Sequence, residues 1–242
     1  MSVFVAEELS EVLNTKVVIG RINMGLLNRI IIDDVLLDDQ SGQEMLKVTR
    51  LSAKFDIMPF FKGKISISSV QLFGFNINLR KETPDSPPNF KFVLDAFASK
   101  DTVKKENSLD LRINSILIRR GRMSYHVLSE EETPGKFNAK HIQLQNIIAN
   151  ISLKALSKDS LNLGIKRLSL DEKASGFSLK KMSLKLVANN KQTNIDNFTI
   201  ELPETSLKLD TIHLEYDSLK AFDRFTAVSY THLRAHETLA NL

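Results

Sequence analysis

The sequence contains no cysteine and no tryptophan, and it has only 9 glycines and 6 prolines among its 242 residues. The absence of cysteine excludes disulfide bonds, cysteine-ligated zinc and a thiol nucleophile. The low glycine and proline content excludes collagen-like and low-complexity architectures. Hydrophobic residues make up 42% of the chain and charged residues 26%, which is typical of a globular protein with a sizeable core.

Long apolar runs and a strong charge of one sign are also absent. No run of about 18 apolar residues occurs, so no segment is expected to span a bilayer. Met1 is followed almost at once by an amphipathic segment with acidic residues, which is not the pattern of a signal peptide. The net charge is only +4 and basic residues are spread along the chain. We therefore expect no nucleic-acid partner, whereas a weak attraction to anionic membranes is compatible with this charge.

Motifs for catalysis, cofactors and metals are missing as well. The chain has no phosphate-binding glycine loop, no nucleophile elbow and no zinc-binding His-Glu-x-x-His helix, so we expect no enzymatic activity, no cofactor and no metal. His126, His141 and His213 are scattered through predicted strands without ligand spacing, and we interpret them as surface or strand-face histidines. Residues 38–42 begin like a calcium loop but lack the alternating oxygen ligands and the distal glutamate, so a hairpin turn is the better interpretation.

Two charged clusters also receive structural interpretations. Asp33 and Asp34 are expected to face water. The basic cluster at residues 119–122 is expected to be a solvated strand end, with contact to an anionic lipid headgroup as the alternative.

The most informative feature is a repeated pattern of apolar positions, Φ-x-Φ-x-x-Φ-x-Φ, in which Φ is an apolar residue. It occurs ten times, and the ninth copy has one weak position. The apolar positions are, in chain order, Val17, Ile19, Ile22 and Met24; Ile30, Ile32, Val35 and Leu37; Leu46, Val48, Leu51 and Ala53; Ile65, Ile67, Val70 and Leu72; Leu111, Ile113, Ile116 and Ile118; Phe137, Ala139, Ile142 and Leu144; Leu163, Ile165, Leu168 and Leu170; Phe177, Leu179, Met182 and Leu184; Thr193, Ile195, Phe198 and Ile200; Leu207, Leu209, Ile212 and Leu214.

Alternation with period two predicts β-strands. The two-residue gap inside each copy would turn its second half to the opposite face of a regular strand. A β-bulge that absorbs one residue keeps all four apolar side chains on one face and bends the strand. The alternative is a pair of short strands with a turn at each gap.

Two segments interrupt the strand pattern. Residues 3–14 place Val5, Leu9, Val12 and Leu13 at helical spacing and predict a short amphipathic helix. Residues 83–107 contain a Pro-rich stretch, an apolar set that predicts a short helix over 90–98, and a charged run. We expect this segment to be a linker or a capping helix.

Three segments resemble one known family. Residues 56–72 resemble the AsmA-type signature, in which a strand meets a short proline turn and continues as Gly-Lys followed by spaced apolar residues. Residues 13–22 are similar to the start of TamB-like proteins of the Bacteroides group, and residues 197–207 resemble a proline-containing junction between strands of that family. The resemblance to the TamB/AsmA family extends over residues 3–220 and rests on pattern more than on identity.

The resemblance implies a fold and a function. The expected fold is mostly β, with repetitive, bulged antiparallel strands curling into an elongated groove (a β-taco), a short N-terminal helix and one further short helix. Members of the family are periplasmic, are anchored in the inner membrane by an N-terminal helix, and are linked to lipid transport toward the outer membrane and to outer-membrane protein assembly. The expected partners are therefore phospholipid acyl chains, the inner membrane through an anchor that this sequence lacks, and an outer-membrane assembly protein of the Omp85 type.

The expected organisation has four parts. Residues 1–82 hold the N-terminal helix and the start of the groove, residues 83–107 the linker and short helix, and residues 108–227 further groove repeats. Residues 228–242 break the apolar pattern and resemble a translated sequencing adapter. We expect this tail to be foreign to the natural protein and not to pack, so His232, His236 and Glu237 carry no functional weight. The absent anchor and the absent family C-terminal domain indicate a fragment.

The candidate site is the apolar face itself. Leaving a sixteen-carbon acyl chain in water costs about 12 kcal/mol, at about 0.8 kcal/mol per CH₂, and a strand of eight residues is about 27 Å long, enough to line a trough for such chains. Two alternatives stay open, namely a closed sandwich core and a scaffold that binds unfolded outer-membrane strands along its sheet edges. The residues predicted to line the groove are Ile65, Ile67, Val70, Leu72, Leu111, Ile113, Ile116, Ile118, Leu163, Ile165, Leu168 and Leu170.

Overall fold

The protein is mostly β, as predicted. The computed structural model describes residues 2–26, 28–55, 67–98, 114–156, 160–216 and 225–230. The elements are α1 (Ser2–Leu13), β1 (Val17–Gly25), β2 (Arg29–Asp38), β3 (Glu44–Phe55), β4 (Ile67–Lys81), α2 (Lys91–Ala98), β5 (Ser115–Val127), β6 (His141–Leu156), β7 (Ser160–Glu172), β8 (Ser178–Asn189), β9 (Gln192–Glu201), β10 (Ser206–Tyr216) and β11 (Phe225–Tyr230).

Both predicted helices are confirmed. Helix α1 ends in a Schellman motif, in which the Asn14 N–H donates to the Glu11 carbonyl and the Thr15 N–H donates to the Ser10 carbonyl. Asn14 has a φ of 48°, and asparagine tolerates this left-handed conformation better than most residues. No helix in the described part of the chain is long and apolar enough to cross a bilayer.

The strands form one sheet in which the spatial order from β1 to β11 follows the chain. Neighbours are antiparallel at β1–β2, β2–β3, β3–β4, β8–β9, β9–β10 and β10–β11. Strands β4 and β5 are parallel, which corrects the expectation of antiparallel strands at this place. A parallel neighbour requires a long crossover connection, and the segment that contains α2 provides it. Curling of the sheet into a groove stays a prediction.

Where pairing can be followed across the gaps, the strands continue through them with the same register on both sides and one unpaired residue on each strand. This corrects the bulge interpretation, because a β-bulge sets two residues of one strand against one residue of its partner. Strand β1 runs through its gap unbroken, but Gly20 and the opposing Asp34 are skipped in an otherwise constant register. The same interruption recurs between Asp34 and Thr49, between Thr49 and Gly74, and between Asn197 and Asp210. Three of these positions have left-handed backbones, namely Asp34 (φ 57°), Gly74 (φ 65°) and Asn197 (φ 52°). Arg120 in β5 (φ 56°) and Asn146 in β6 (φ 54°) are left-handed as well. The alternative of a turn at each gap is wrong for these strands.

Four copies differ from their predicted positions. In β8 the register shift lies between Ser183 and Lys185 and not at the predicted gap of residues 180–181, and Phe177 precedes the strand. In β4, β5 and β6 the left-handed residue lies five positions beyond the end of the predicted gap, at Gly74, Arg120 and Asn146. The pairing in β4 therefore uses Val70, Leu72, Phe75 and Ile77 as its apolar set. Phe137 and Ala139 precede β6 and are not in a strand. In these segments the apolar pattern can begin at more than one residue, and the alternation of apolar and polar residues alone did not show which starting residue is correct.

The chain divides into two compact units, Met1–Ile148 with Asp171–Phe177, and Ala149–Leu170 with Ser178–Leu242. In the first unit, α1 and the segment around α2 cover a cluster of buried residues. The cluster consists of Ala6, Val17, Ile19, Leu37 and Met45, with Phe90, Phe92 and Val93 packed against it. In the second unit, no element among the described residues is a helix. The sequence-based division at 83–107 stays a prediction, because residues 99–113 lie outside the described part of the chain.

Residues 225–230 form β11, which pairs with β10 from Thr211 to Tyr216. Residues 228–230 of the expected tail therefore take part in the sheet, which differs from the expectation that the tail does not pack. Whether they belong to the natural protein stays a prediction, and residues 231–242 lie outside the described part.

Candidate functional site

The strand register aligns the apolar motif positions of neighbouring strands into rows. In the first unit these rows make up what we call the first motif face. One row is Ile22, Ile32, Leu51, Leu72 and Ile118, and the next is Met24, Ile30, Ala53, Val70 and Ile116. Directly opposed residues point to the same face of a sheet. Two strands that are far apart in sequence thus contribute predicted site residues that are direct neighbours, Val70 beside Ile116 and Leu72 beside Ile118.

The helices cover one end of the first motif face. The row of Val17, Leu37 and Leu46 belongs to the cluster under α1 and the α2 segment. At the opposite end Met24 is 76% exposed, and Val70, Leu72, Ile116 and Ile118 are half-buried. The predicted site residues of this unit therefore lie away from the helices.

The second unit carries a similar surface, which we call the second motif face. Its rows are Met182, Ile200 and Leu207; Leu186, Ile195 and Ile212; Ala188, Thr193 and Leu214; and Phe198 with Leu209. All of these side chains are half-buried and none is fully buried. Leu163, Ile165, Leu168 and Leu170 of β7 are half-buried as well. A packed core would exclude water from most of these groups, so among the described residues this face lacks a covering layer.

The other face of the second unit carries polar side chains that form hydrogen bonds and ion pairs with side chains of the neighbouring strand. Lys181 Nζ lies 3.3 Å from Glu201 Oε1. The Thr211 hydroxyl donates to Asp196 Oδ1 at 3.2 Å. His213 lies in the row with Asn194, with its Nδ1 against the Asn194 Oδ1. One face thus carries polar side chains that pair with one another, and the other carries apolar side chains with Thr193 as the exception.

The polar face of the first unit holds the two charged clusters. Asp33 is buried and accepts a 2.6 Å hydrogen bond from Arg50 Nε, which corrects the expectation that it faces water. This bond, together with the nearby charges of Arg50 and Arg21, holds the pKa of Asp33 below its usual value. Asp34 is exposed, as expected. The basic cluster at 119–122 lies in the middle of β5 and not at a strand end, with its three arginines exposed.

The Asp38 to Gly42 segment is a hairpin turn between β2 and β3, as predicted. Asp39 is only 2% exposed. Its Oδ1 accepts hydrogen bonds from the Ser41 N–H at 3.0 Å and the Gln43 N–H at 3.1 Å, and its Oδ2 lies 2.6 Å from Arg80 Nη2. Burial opposes ionisation of this carboxyl, but the hydrogen bonds outweigh it and lower the pKa of Asp39. The residue is a structural anchor.

The cavities of the first unit lie mostly away from the predicted site residues. One, of about 690 Å³, lies between the end of α1, the Asp39 turn and α2. A second, about 600 Å³, is lined by Arg50, Phe73, Leu117, Arg119 and neighbours, and a third, about 420 Å³, surrounds Arg120 and Gly121. Of the predicted residues in the described part of the chain, only Leu72 lines one of these three cavities.

Several predicted residues cannot be placed. Ile65, Leu111 and Ile113 lie outside the described residues, and Ile67 belongs to β4 without a described side chain. Sequence reasoning also missed one constellation, since the rings of His126 and His141 meet in the first unit with their Nδ1 atoms 3.0 Å apart. They are separated by 15 positions and a turn, so no local spacing could have identified them. No protein-family model and no curated protein matches this sequence.

Proposed function

We propose that the two motif faces bind the acyl chains of phospholipids, and that the protein is a non-enzymatic periplasmic component of cell-envelope biogenesis. The observation that carries the proposal is the second motif face, where the eleven side chains of the paired rows, all but Thr193 of them apolar, are half-buried and none is buried. The resemblance to the TamB/AsmA family agrees with this proposal and supplies the envelope context.

The energetics favour an occupant for such a face. A half-exposed leucine or isoleucine leaves unrealised a part of the 1.5–3 kcal/mol that burying its side chain provides, at about 25 cal/mol per Å². Contiguous apolar patches of more than a few hundred Å² are uncommon on soluble monomers and mark interaction surfaces. An acyl chain suits this face because it is apolar along its whole length and makes no demand for hydrogen bonds.

Photocrosslinking tests the proposal with neighbouring residues on opposite faces. A photoreactive residue at Ile118 or Leu209 should capture phospholipid from vesicles of phosphatidylethanolamine and phosphatidylglycerol, detected by mass spectrometry of the intact protein. The matched controls are Leu117, an aliphatic and half-buried neighbour on the other face of β5, and Lys208 on β10. Capture at Ile118 but not at Leu117 would show that lipid binds to the motif face, and that an apolar residue elsewhere on the strand is not sufficient for capture.

Substitution by aspartate separates an open face from a closed core. Leu209→Asp should abolish lipid capture while the circular dichroism spectrum and the unfolding transition persist, because the side chain is half-exposed. If the Leu209→Asp variant fails to fold and no photoreactive site captures lipid, the face is an ordinary core and the proposal is wrong. Crosslinks to unfolded polypeptide in place of lipid would instead favour the strand-binding scaffold.

A further inference from the structure

We propose that His126, His141 and Glu132 form a binding site for a divalent transition-metal ion, of which Zn²⁺ is the best fit. The three residues belong to the first unit and surround the connection between β5 and β6. His126 is the last residue but one of β5, and His141 is the first residue of β6. One ligand atom from each of the three side chains lies within 4.8 Å of the others.

The hydrogen bonding of His141 prepares one nitrogen as a ligand. His141 is 7% exposed, and its Nε2 lies 2.9 Å from the Glu130 carbonyl oxygen. A carbonyl oxygen can only accept, so Nε2 carries the proton and donates it. In the neutral ring the lone pair is then on Nδ1, the atom that faces His126. Metal-binding histidines typically hold their second ring nitrogen against a carbonyl or a carboxylate in this way.

The distances approach those of a tetrahedral site. Zinc binds imidazole nitrogen at about 2.0–2.1 Å, which separates two tetrahedral ligand atoms by about 3.3 Å. The two Nδ1 atoms are 3.0 Å apart. Glu132 Oε1 lies 3.9 Å from the Nδ1 of His126 and 4.0 Å from that of His141. Because the Glu132 side chain is 64% exposed, it can close a gap of about half an ångström by a change of side-chain torsion.

Neighbouring cations do not oppose a bound ion. Arg80 is the register neighbour of His126 on β4, but its guanidinium is paired with Asp39 at 2.6 Å. Lys140 precedes His141 and is paired with Glu130, also at 2.6 Å. Both positive charges are thus compensated locally, and Glu132 remains to balance the charge of the metal ion.

The donor set selects the type of ion. Two imidazole nitrogens and one carboxylate suit Zn²⁺ and its neighbours in the transition series, whereas Ca²⁺ and Mg²⁺ prefer oxygen ligands alone. Three protein ligands leave the fourth tetrahedral position for a water molecule. The ion would tie the end of β5 to the start of β6 and so brace the connection between them. This role is independent of lipid binding by the motif faces.

Cobalt substitution tests the site directly. Titration of the tag-free full chain with CoCl₂ should give the intense visible absorption of tetrahedral Co²⁺ at one ion per chain, and ZnSO₄ should displace it. His126→Gln should abolish the absorption. Glu132→Gln should weaken zinc binding by about tenfold or more, since even groups that merely orient a ligand contribute that much. Glu132 is exposed, so this second variant is expected to fold normally.

Two controls use the other histidines. His213→Gln in β10 should bind metal like the parent chain, and so should the double variant His232→Ser with His236→Ser. Loss of the cobalt signal in the double variant would assign the metal to the tail and overturn the proposal. Equal binding by the parent chain and His126→Gln, or no binding by the parent chain, would leave a histidine pair joined by a hydrogen bond and would likewise overturn it.

Discussion

The side chain of Asn89 donates a hydrogen bond to Asp39 Oδ2 at 3.1 Å, across 50 positions of the chain. Asn89 also donates to the Asn78 carbonyl at 3.1 Å, and its Oδ1 accepts from the Arg80 N–H at 3.0 Å. One carboxylate therefore connects the β2–β3 turn, the end of β4 and the start of the crossover to the parallel strand β5. The position of α2 depends on this connection as well as on its apolar contacts.

Asp39→Asn should reduce the free energy of unfolding by about 2–4 kcal/mol, because it removes the charge from a buried group that accepts charged and neutral hydrogen bonds. Urea denaturation followed by circular dichroism measures the loss. Asp34→Asn is the control, since Asp34 is exposed and asparagine tolerates its left-handed backbone. Equal stability of the two variants would contradict an anchoring role for Asp39.

Stability should fall in acid. Burial raises and hydrogen bonds lower the pKa of Glu172, and the bonds prevail, as they do for Asp39. A carboxyl with a lowered folded pKa contributes stability above its unfolded pKa, near 3.8 for Asp and 4.5 for Glu. That contribution is lost as the pH falls through the folded value. Urea midpoints measured between about pH 6 and pH 2 should decline, and they should decline less in Asp39→Asn. A midpoint that rises on acidification would refute this.

Gly121→Ala should destabilise the first unit by about 1–3 kcal/mol through overpacking. A Cβ atom at this position would meet the ring of Phe75 and lie 3.0 Å from the Cβ of Ile147. Adding Phe75→Leu should restore part of the loss, because the smaller side chain makes room. Failure of Phe75→Leu to compensate would show that the Phe75 ring is not the obstacle.

Asn197→Val should destabilise the second unit by about 1–2 kcal/mol, because a β-branched residue strongly disfavours the positive φ of a strand interruption. Asn197→Gly should stay within about 0.5 kcal/mol of the parent chain, since glycine adopts this conformation readily. Thr199→Val, two positions along the same strand, provides the regular-strand comparison. If both valine variants behave alike, the interruption at Asn197 is not conformationally demanding.

The strands were predicted best from sequence in segments where the apolar pattern can begin at only one residue. Val35 and Val48, both apolar positions of predicted copies, lie in β2 and β3 and pair as direct neighbours. The sequence did not predict that β4 and β5 are parallel, because alternation encodes which face a residue takes and not the direction of its neighbour. The Asp33–Arg50 pair was also missed, since burial of a charged group depends on a partner brought in by the register.

The histidine pair illustrates a different limit. His126 and His141 become neighbours only because β5 and β6 are adjacent in the sheet and the connection between them folds back. Metal-site motifs can be read from sequence when their ligands share one helix turn or one loop. Ligands at the ends of two separate strands leave no such spacing, so the tertiary structure was required.

The shared height of the strand interruptions bears on how a chain of this kind can evolve. From β1 to β4 every strand skips a residue opposite the skip of its neighbour. A tandem duplication of one hairpin would carry its own interruption to the matching place, so the copy could join the sheet without any compensating substitution. A single-residue insertion inside a strand would instead shift its register by one residue and turn the apolar side chains beyond the insertion to the opposite face. Such genes can therefore lengthen by whole hairpins, while frame-preserving changes of one codon within a strand are selected against.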